Sequence, residues 1–417
     1  MKYLTVLVPF ISLFCAAAAF SQTQWTKHPT PVLDVGSSGS WDDQWAIASR
    51  VIRVGDTLKM WYSGRKSSFG VISIGYAWST NGGFSWTKHP SPVLTPTQTW
   101  ETQAVWQPYV IVANSLYRMW YNGGSGEGAG GIGYAWSANG IEWTKSPINP
   151  VVRPGPSPWD AENIETPCVL ADGGGFKMWY EGVPFGLDTL RFGYATATNE
   201  ATWTKANSTN PVLSPISGTW EPAWLRSPRV MFDGSAYKMW YSAGPPYNTN
   251  NRGIGYATSL DGIAWTRSNA NPVLQSTPGT WDAGGIWTGD VLFDGTTYHM
   301  WYQAGFLTAL RTGYATATVT AVKEVRGDFP AAFALEQNYP NPFNPTTAIS
   351  YQLSAVSNVS LKIFDILSRE VAVLVDSEQP PGTYTAKWDA GGFISGVYFY
   401  RLQAGNFSET RKLLLTR

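Results

Sequence analysis

Apolar and aromatic residues along this chain come in runs of four to eight positions, and Asp-Gly, Asn-Gly and Pro-containing turns break each run before a helical period builds up. No segment sustains apolar residues at helical spacing, so the pattern predicts an all-β chain. The runs also recur. Trp followed by an acid stands at Trp41-Asp42, Trp100-Glu101, Trp159-Asp160, Trp220-Glu221 and Trp281-Asp282, and the Trp of a Met-Trp-Tyr motif follows 20 residues later each time, at Trp61, Trp120, Trp179, Trp240 and Trp301. A Gly-Tyr comes after each, at Gly75-Tyr76, Gly133-Tyr134, Gly193-Tyr194, Gly255-Tyr256 and Gly313-Tyr314. A period of 59 to 61 residues marks stacked units that share a continuous core.

Each unit reads as four short strands: one before a tight turn, the Met-Trp-Tyr stretch, the Gly-Tyr segment, and a last strand opening on a further Trp. The fifth unit stops at Thr318 without that last strand, yet the chain opens with its counterpart, Trp25-Thr26-Lys27 through Pro31-Val32-Leu33. If the amino-terminal strand completes the fifth sheet, the sheets form a ring with protected edges. The reading is a five-bladed β-propeller over 22–320.

Beyond about residue 320 the composition shifts. A linker (321–332) leads into a Pro-dense block that excludes helix and central strand. Alternating runs at 359–364, 370–375, 396–402 and 411–415 then predict a small immunoglobulin-like β-sandwich over 333–417. At the other end, Lys2 and an apolar run to about Ala19 predict a signal peptide over 1–21, which removes Cys15 and leaves Cys168 as a buried, inert thiol. No other run reaches the roughly 18 apolar residues of a membrane span.

Charge narrows the chemistry. Acidic and basic residues number 29 each, and charged residues make up 14% of the chain, against about 25% in ordinary domains. With no basic stripe, nucleic acid is excluded as a partner. Three His and one mature Cys argue against a His/Cys metal site, and no cofactor is expected.

The acids held in all five units, Asp42, Glu101, Asp160, Glu221 and Asp282, serve whatever the units share and read as scaffold. Six residues past each anchoring Trp, by contrast, stand Ile47, Trp106, Glu165, Arg226 and Trp287. In a propeller the first strand lines the axis, so this position samples a central funnel from five directions. Aromatic faces that stack on sugar rings, with Arg and Glu for hydroxyls, suit a carbohydrate. Trp45 and Trp224 extend the platform on the same alternating face.

Two resemblances add to this. The segment 333–417, through Gln337-Asn338-Tyr339-Pro340-Asn341-Pro342-Phe343-Asn344-Pro345, Phe364-Asp365-Ile366-Leu367, Ser395 to Arg401 and the basic Arg411-Lys412, resembles the sorting domain of the bacterial type IX secretion system, with Ser354 and Ser368 departing from the common pattern. It implies a Gram-negative envelope, the type IX machinery as partner, and a secreted or outer-membrane surface-attached product. Residues 24–320 resemble the five-bladed glycoside hydrolases of families 32, 43 and 130, whose third blade carries a general-acid Glu in a Glu-x-Pro setting, as in Glu165-Thr166-Pro167. That implies Glu165 as the acid. Glycoside cleavage needs a second carboxylate, and where those hydrolases carry one on the first and second blades this chain has Ile47 and Trp106. Among the nearby acids Asp42, Asp43, Asp160, Glu162 and Asp290, Asp43 is best placed. A glycan-binding protein without catalysis and a structural or protein-binding propeller are the alternatives, with the loops around Arg65, Glu127, Asp188 and Arg252 as the alternative site.

Overall fold

The structure is a computed structural model that describes residues 24–318 and 333–416, apart from 67–69, 125–129, 187–188, 207, 246–251, 307, 354–356, 380–381 and 406. The signal peptide and the linker expected from the sequence lie outside the described residues. The chain divides into two compact units at about residue 320. Among the described residues the regular structure is strand, apart from two single-turn 3-10 helices, Thr99–Glu101 and Pro158–Asp160.

In the first unit the sheets follow the sequence repeats. First strands run Trp45–Val54, Val105–Ala113, Asn163–Asp172, Trp224–Phe232 and Ile286–Phe293, and each pairs antiparallel with a second strand carrying Met-Trp-Tyr. Third strands carry the Gly-Tyr, and the fourth are only two or three residues long. The fifth repeat takes its fourth strand from the start of the chain, where Thr26 pairs with Thr316 and Lys27 with Ala315. Leu33 bridges to Thr312 much as Leu94 bridges to Ile74 and Leu213 to Phe192.

The repeated residues show why the frame is strict. Each Met-Trp-Tyr is fully buried because its strand is covered on both faces. On one face the Tyr packs on the anchoring Trp, with ring centroids 5.9 Å apart for Trp159 and Tyr180. A Cβ at Gly193 would lie 2.6 Å from the Trp159 ring, so the Gly of Gly-Tyr is required by that approach. Below the rings the repeated acid accepts the Tyr hydroxyl and pairs with a fourth-strand base: Asp160 takes Tyr180 at 3.3 Å and Lys205 at 2.7 Å, and Glu101 takes Tyr121 at 2.8 Å and Lys145 at 2.6 Å. In the fifth repeat the base is Lys27, 2.6 Å from Asp282. Buried carboxylates that are paired and hydrogen-bonded in this way hold structure rather than react.

On the other face, the Met-Trp-Tyr indole reaches the next repeat. Trp61 donates to the Gly140 carbonyl at 2.8 Å, which also accepts from Trp143 of its own repeat at 3.1 Å. Trp120 and Trp203 share Glu200, Trp179 and Trp265 share Gly262, and Trp301 and Trp86 share Gly83. At the corresponding place in the fifth repeat, the buried indoles of Trp240 and Trp25 have no partner among the described residues.

Side chains of each second strand also hold a bulge in the next first strand. Thr166 N–H donates to Asn122 Oδ1 at 2.7 Å, Ser227 N–H to Glu181 at 3.3 Å and Thr288 N–H to Ser242 at 2.6 Å, while Gln303 of the fifth repeat reaches Ala48 of the first at 3.0 Å.

The second unit has two sheets, one of Ala334–Leu335, Thr346–Leu353 and Gly382–Asp389, the other of Glu370–Gln379, Ser357–Phe364, Gly396–Ala404 and Phe407–Leu415. Ile349, Tyr351 and Trp388 from the first share one core with Leu361, Ile363, Tyr400 and Leu413 from the second. Thr346–Leu353 and Gly382–Asp389 were not expected from the sequence, because Pro-rich stretches precede both.

Candidate functional site

The five divergent residues all stand on first strands beside a bulge, immediately before it at Trp106, Glu165 and Arg226 and one residue earlier at Ile47 and Trp287. Ile47 faces Ser63 across the strand pair, Trp106 faces Asn122, Glu165 faces Glu181, Arg226 faces Ser242 and Trp287 faces Gln303. The bulge turns the backbone here, with φ at +49° for Thr166 and +52° for Ser227, and re-aims the side chain before it.

Glu165 and Glu181 form the chemical centre. Both carboxyls are buried, at 8% and 0% exposure, and cross-strand partners of this kind hold their Cβ atoms about 5 Å apart. Glu165 accepts a hydrogen bond from Asn163 at 2.9 Å. Glu181 accepts from Ser227 N–H and from the Thr166 hydroxyl at 3.4 Å, and its second oxygen lies 3.6 Å from Arg226 Nε. Burial first, and the Glu181 charge second, push the Glu165 carboxyl up to about 7, while Arg226 and Asn163 pull the other way. Burial also raises Glu181, against Arg226. Two carboxylates this close, out of water, share protons rather than both ionise.

A carboxyl raised in the folded chain contributes stability that is complete below its unfolded value and lost as pH rises through the folded one. Melting temperature should therefore fall between about pH 4 and 7, and fall less steeply in Glu165→Gln. Equal slopes in thermal melts of the two proteins would place the raised carboxyl elsewhere.

Arg226 and Arg252 act on Glu181, and both guanidinium groups stack on aromatic rings. Arg226 lies over the Trp224 ring at 4.8 Å, and Arg252 sits between Trp224 and Trp287 at 5.0 and 5.1 Å. Arg65 lies over Trp45 at 4.8 Å. Trp224 is buried against Val183 and Leu190, so it backs the two arginines instead of offering a free face; Trp45, Trp106 and Trp287 are half-buried and keep exposed surface.

The structure thus brings Glu165, Arg226, Trp224 and Trp287 together and adds Glu181 and Arg252. Asp43, expected as the second carboxylate, accepts Gly39 N–H at 2.9 Å within its own loop. Asp42 and Asp160 belong to the Tyr and Lys scaffold, and Asp290 binds Arg50 at 3.1 Å and Val51 N–H at 2.7 Å. Glu162 lies close enough to raise Glu165 further. Glu127 and Asp188 lie outside the described residues. Cys168 is fully buried and accepts Val230 N–H. Among the described residues no cluster of three or more His, Cys, Asp or Glu is placed to hold a metal ion.

Glu181 was legible in principle. The position right after Met-Trp-Tyr reads Ser63, Asn122, Glu181, Ser242 and Gln303, a second divergence inside the strict frame.

Comparison with known proteins bears on both units. Residues 337–416 match the family described as Secretion system C-terminal sorting domain. Two uncharacterized proteins of Mycobacterium tuberculosis strains are each 27% identical over 238 residues, covering 54% of this chain and 75% of theirs. Among solved structures, BT0996 in an RGII complex aligns with TM-score 0.58 at 18% identity, over 71% of this chain and 92% of that one. A β-1,2-mannobiose phosphorylase from Listeria innocua aligns at 0.56 and 10%, over 71% and 97%, and a thermostable family-43 glycoside hydrolase at 0.52 and 19%, over 65% and 88%. At these identities the likeness is one of fold. The chain carries a secretion sorting domain at its carboxy terminus, and its first unit is all-β with the fold of glycoside hydrolase-type propellers.

Proposed function

We propose that this is an exported carbohydrate-active protein whose first unit is a five-bladed propeller, closed by the Thr26–Lys27 strand, with its working site around Glu165. Glu165 is the proton donor to the leaving oxygen of a glycosidic bond, kept protonated toward neutral pH by burial first and by Glu181 second, and Glu181 is a positioning residue. Trp45, Trp106 and Trp287 hold sugar rings and Arg226 their hydroxyls, with Trp224 as the wall behind Arg226. The observation that carries this reading is the buried Glu165 and Glu181 pair beside Arg226, in a fold shared with proteins named as glycoside hydrolases. Asp43 is proposed as the activating base. Its hydrogen bond to Gly39 favours a second reading, in which the site binds glycans without cutting them. A glycan array run beside a hydrolysis screen on the same samples separates the two, since cleavage products support the first and retention without products supports the second. An absence of both rejects the site.

Export rests on the sorting-domain match, with 333–417 proposed as an immunoglobulin-like address for the type IX machinery and 1–21 as the signal peptide. Removing 333–417 is expected to leave a folded first unit in the periplasm of a type IX host, since the two units have separate cores. Equal recovery at the surface or in the medium with and without the tail would reject that role.

A further inference from the structure

Arg252 does nothing in the chemistry just described, yet it is 8% exposed, and a buried guanidinium is costly unless it is paired. It is clamped between the Trp224 and Trp287 rings, and its Nε has no hydrogen-bond partner among the described residues. Arg226, the neighbouring cation, stacks on the same Trp224 ring, and its Nε also lacks a hydrogen-bond partner among the described residues. The carboxylate facing both is Glu181, which approaches Arg226 only at ion-pair distance and already accepts from Ser227 and Thr166. Glu165, on the adjoining strand, holds its proton up to neutral pH and offers little compensating charge. The crowding shows on Arg252 itself, whose burial first and Arg226 second lower its affinity for its own proton. Arg252 also borders a cleft of about 500 Å³ with Trp220, Pro222, Pro245, Pro272 and Gln275, whose lining includes none of Glu165, Glu181, Arg226, Trp224 or Trp287.

We infer that the site takes an acidic glycan, one whose chain bears an oxyanion, and that Arg252 with Arg226 seats that oxyanion. Planar guanidinium groups fixed by stacking are pre-organised for the paired hydrogen bonds a carboxylate or sulfate ester accepts. The inference rests on the glycan reading of the same site, and it deepens that reading by naming the ligand's charge.

The test uses the full chain and measures binding of oligogalacturonate, oligoguluronate and a sulfated galactan fragment, each beside a neutral counterpart, carboxyl-reduced or desulfated, with inorganic phosphate as a further arm. Tryptophan fluorescence serves as one readout because Trp224 and Trp287 flank the arginine. At least one acidic member should bind about tenfold or more tighter than its neutral counterpart, and added salt should weaken it. Arg252→Gln should erase that preference, while Arg252→Lys, which keeps the charge but not the fork, should retain part of it and guards against a folding defect. Neutral counterparts binding equally well, or an acid preference that survives in Arg252→Gln, overturns the inference and leaves the glycan reading standing. Phosphate binding without any preference for an acidic glycan overturns it as well. No binding by any glycan, charged or neutral, sinks the glycan reading and this inference together.

Discussion

Glu165→Gln is expected to lower turnover on the sugar substrate by on the order of 100-fold or more, with melting unchanged or slightly raised above neutral pH. The amide keeps the shape of the side chain and its contact with Asn163, and it removes only the proton that the buried carboxyl holds against Glu181. The variant thus separates chemistry from packing. Initial rates and melting temperature on one preparation decide the matter, and unchanged rates with a cleaved substrate in hand would exclude Glu165 as the acid. If the protein binds without cutting, the weight moves to the rings: Trp106→Ala and Trp287→Ala should each weaken affinity by about 1 to 3 kcal/mol, a scale taken from stacking on other ligands, while Glu165→Gln has a modest effect.

The second large effect is on stability. Deleting 24–33 should destabilise the first unit by roughly 5 kcal/mol, since Trp25, Val32 and Leu33 are buried and each large apolar side chain contributes about 1.5 to 3 kcal/mol before relaxation. It also removes the pairing of Thr26 and Lys27 with Thr316 and Ala315, and leaves the Asp282 carboxylate without Lys27. Melting should fall by on the order of 10 °C, and solubility should drop because an apolar edge is bared. A truncated protein with the parent's melting curve would mean that the first strand contributes nothing to closure.

The frame was legible because identical residues do identical work in every repeat. The anchoring Trp, the acid, Met-Trp-Tyr and Gly-Tyr recur because each meets the same neighbours, and the displaced strand was readable because Lys27 stands where Lys88, Lys145, Lys205 and Arg267 stand in their repeats. The candidate site was legible only in part. Divergence at one position singled out Glu165 and Arg226, whose charges act on one another, but it is not by itself a mark of function. Nine residues past each anchoring Trp the chain reads Arg50, Tyr109, Cys168, Arg229 and Asp290, just as varied. Most of these interlock: Arg50 pairs with Asp290 and lies 4.4 Å over Tyr109, and Arg229 lies 5.8 Å from the same ring. Where equivalent side chains meet one another, five copies of one charge or one bulk would repel or collide, so packing alone demands variety. Arg252 and Glu181 were harder to read because their partners are far away along the chain: Arg252 meets Trp224 of its own repeat and Trp287 of the next, and Glu181 meets Ser227 of the next repeat.

The indoles of Trp25 and Trp240, without a partner among the described residues, bear on how the molecule could be rewired. In the other repeats a turn carbonyl serves two tryptophans at once, and here the chain is cut where that turn would stand. A circular permutant that runs from Thr318 through a short Asp-Gly turn into Trp25, with new ends opened in an exposed loop, would give both indoles one acceptor. Satisfying a buried donor is worth about 1 to 3 kcal/mol. The natural cut thus leaves a margin at one seam, and stability has room to rise there without any change to the residues around Glu165.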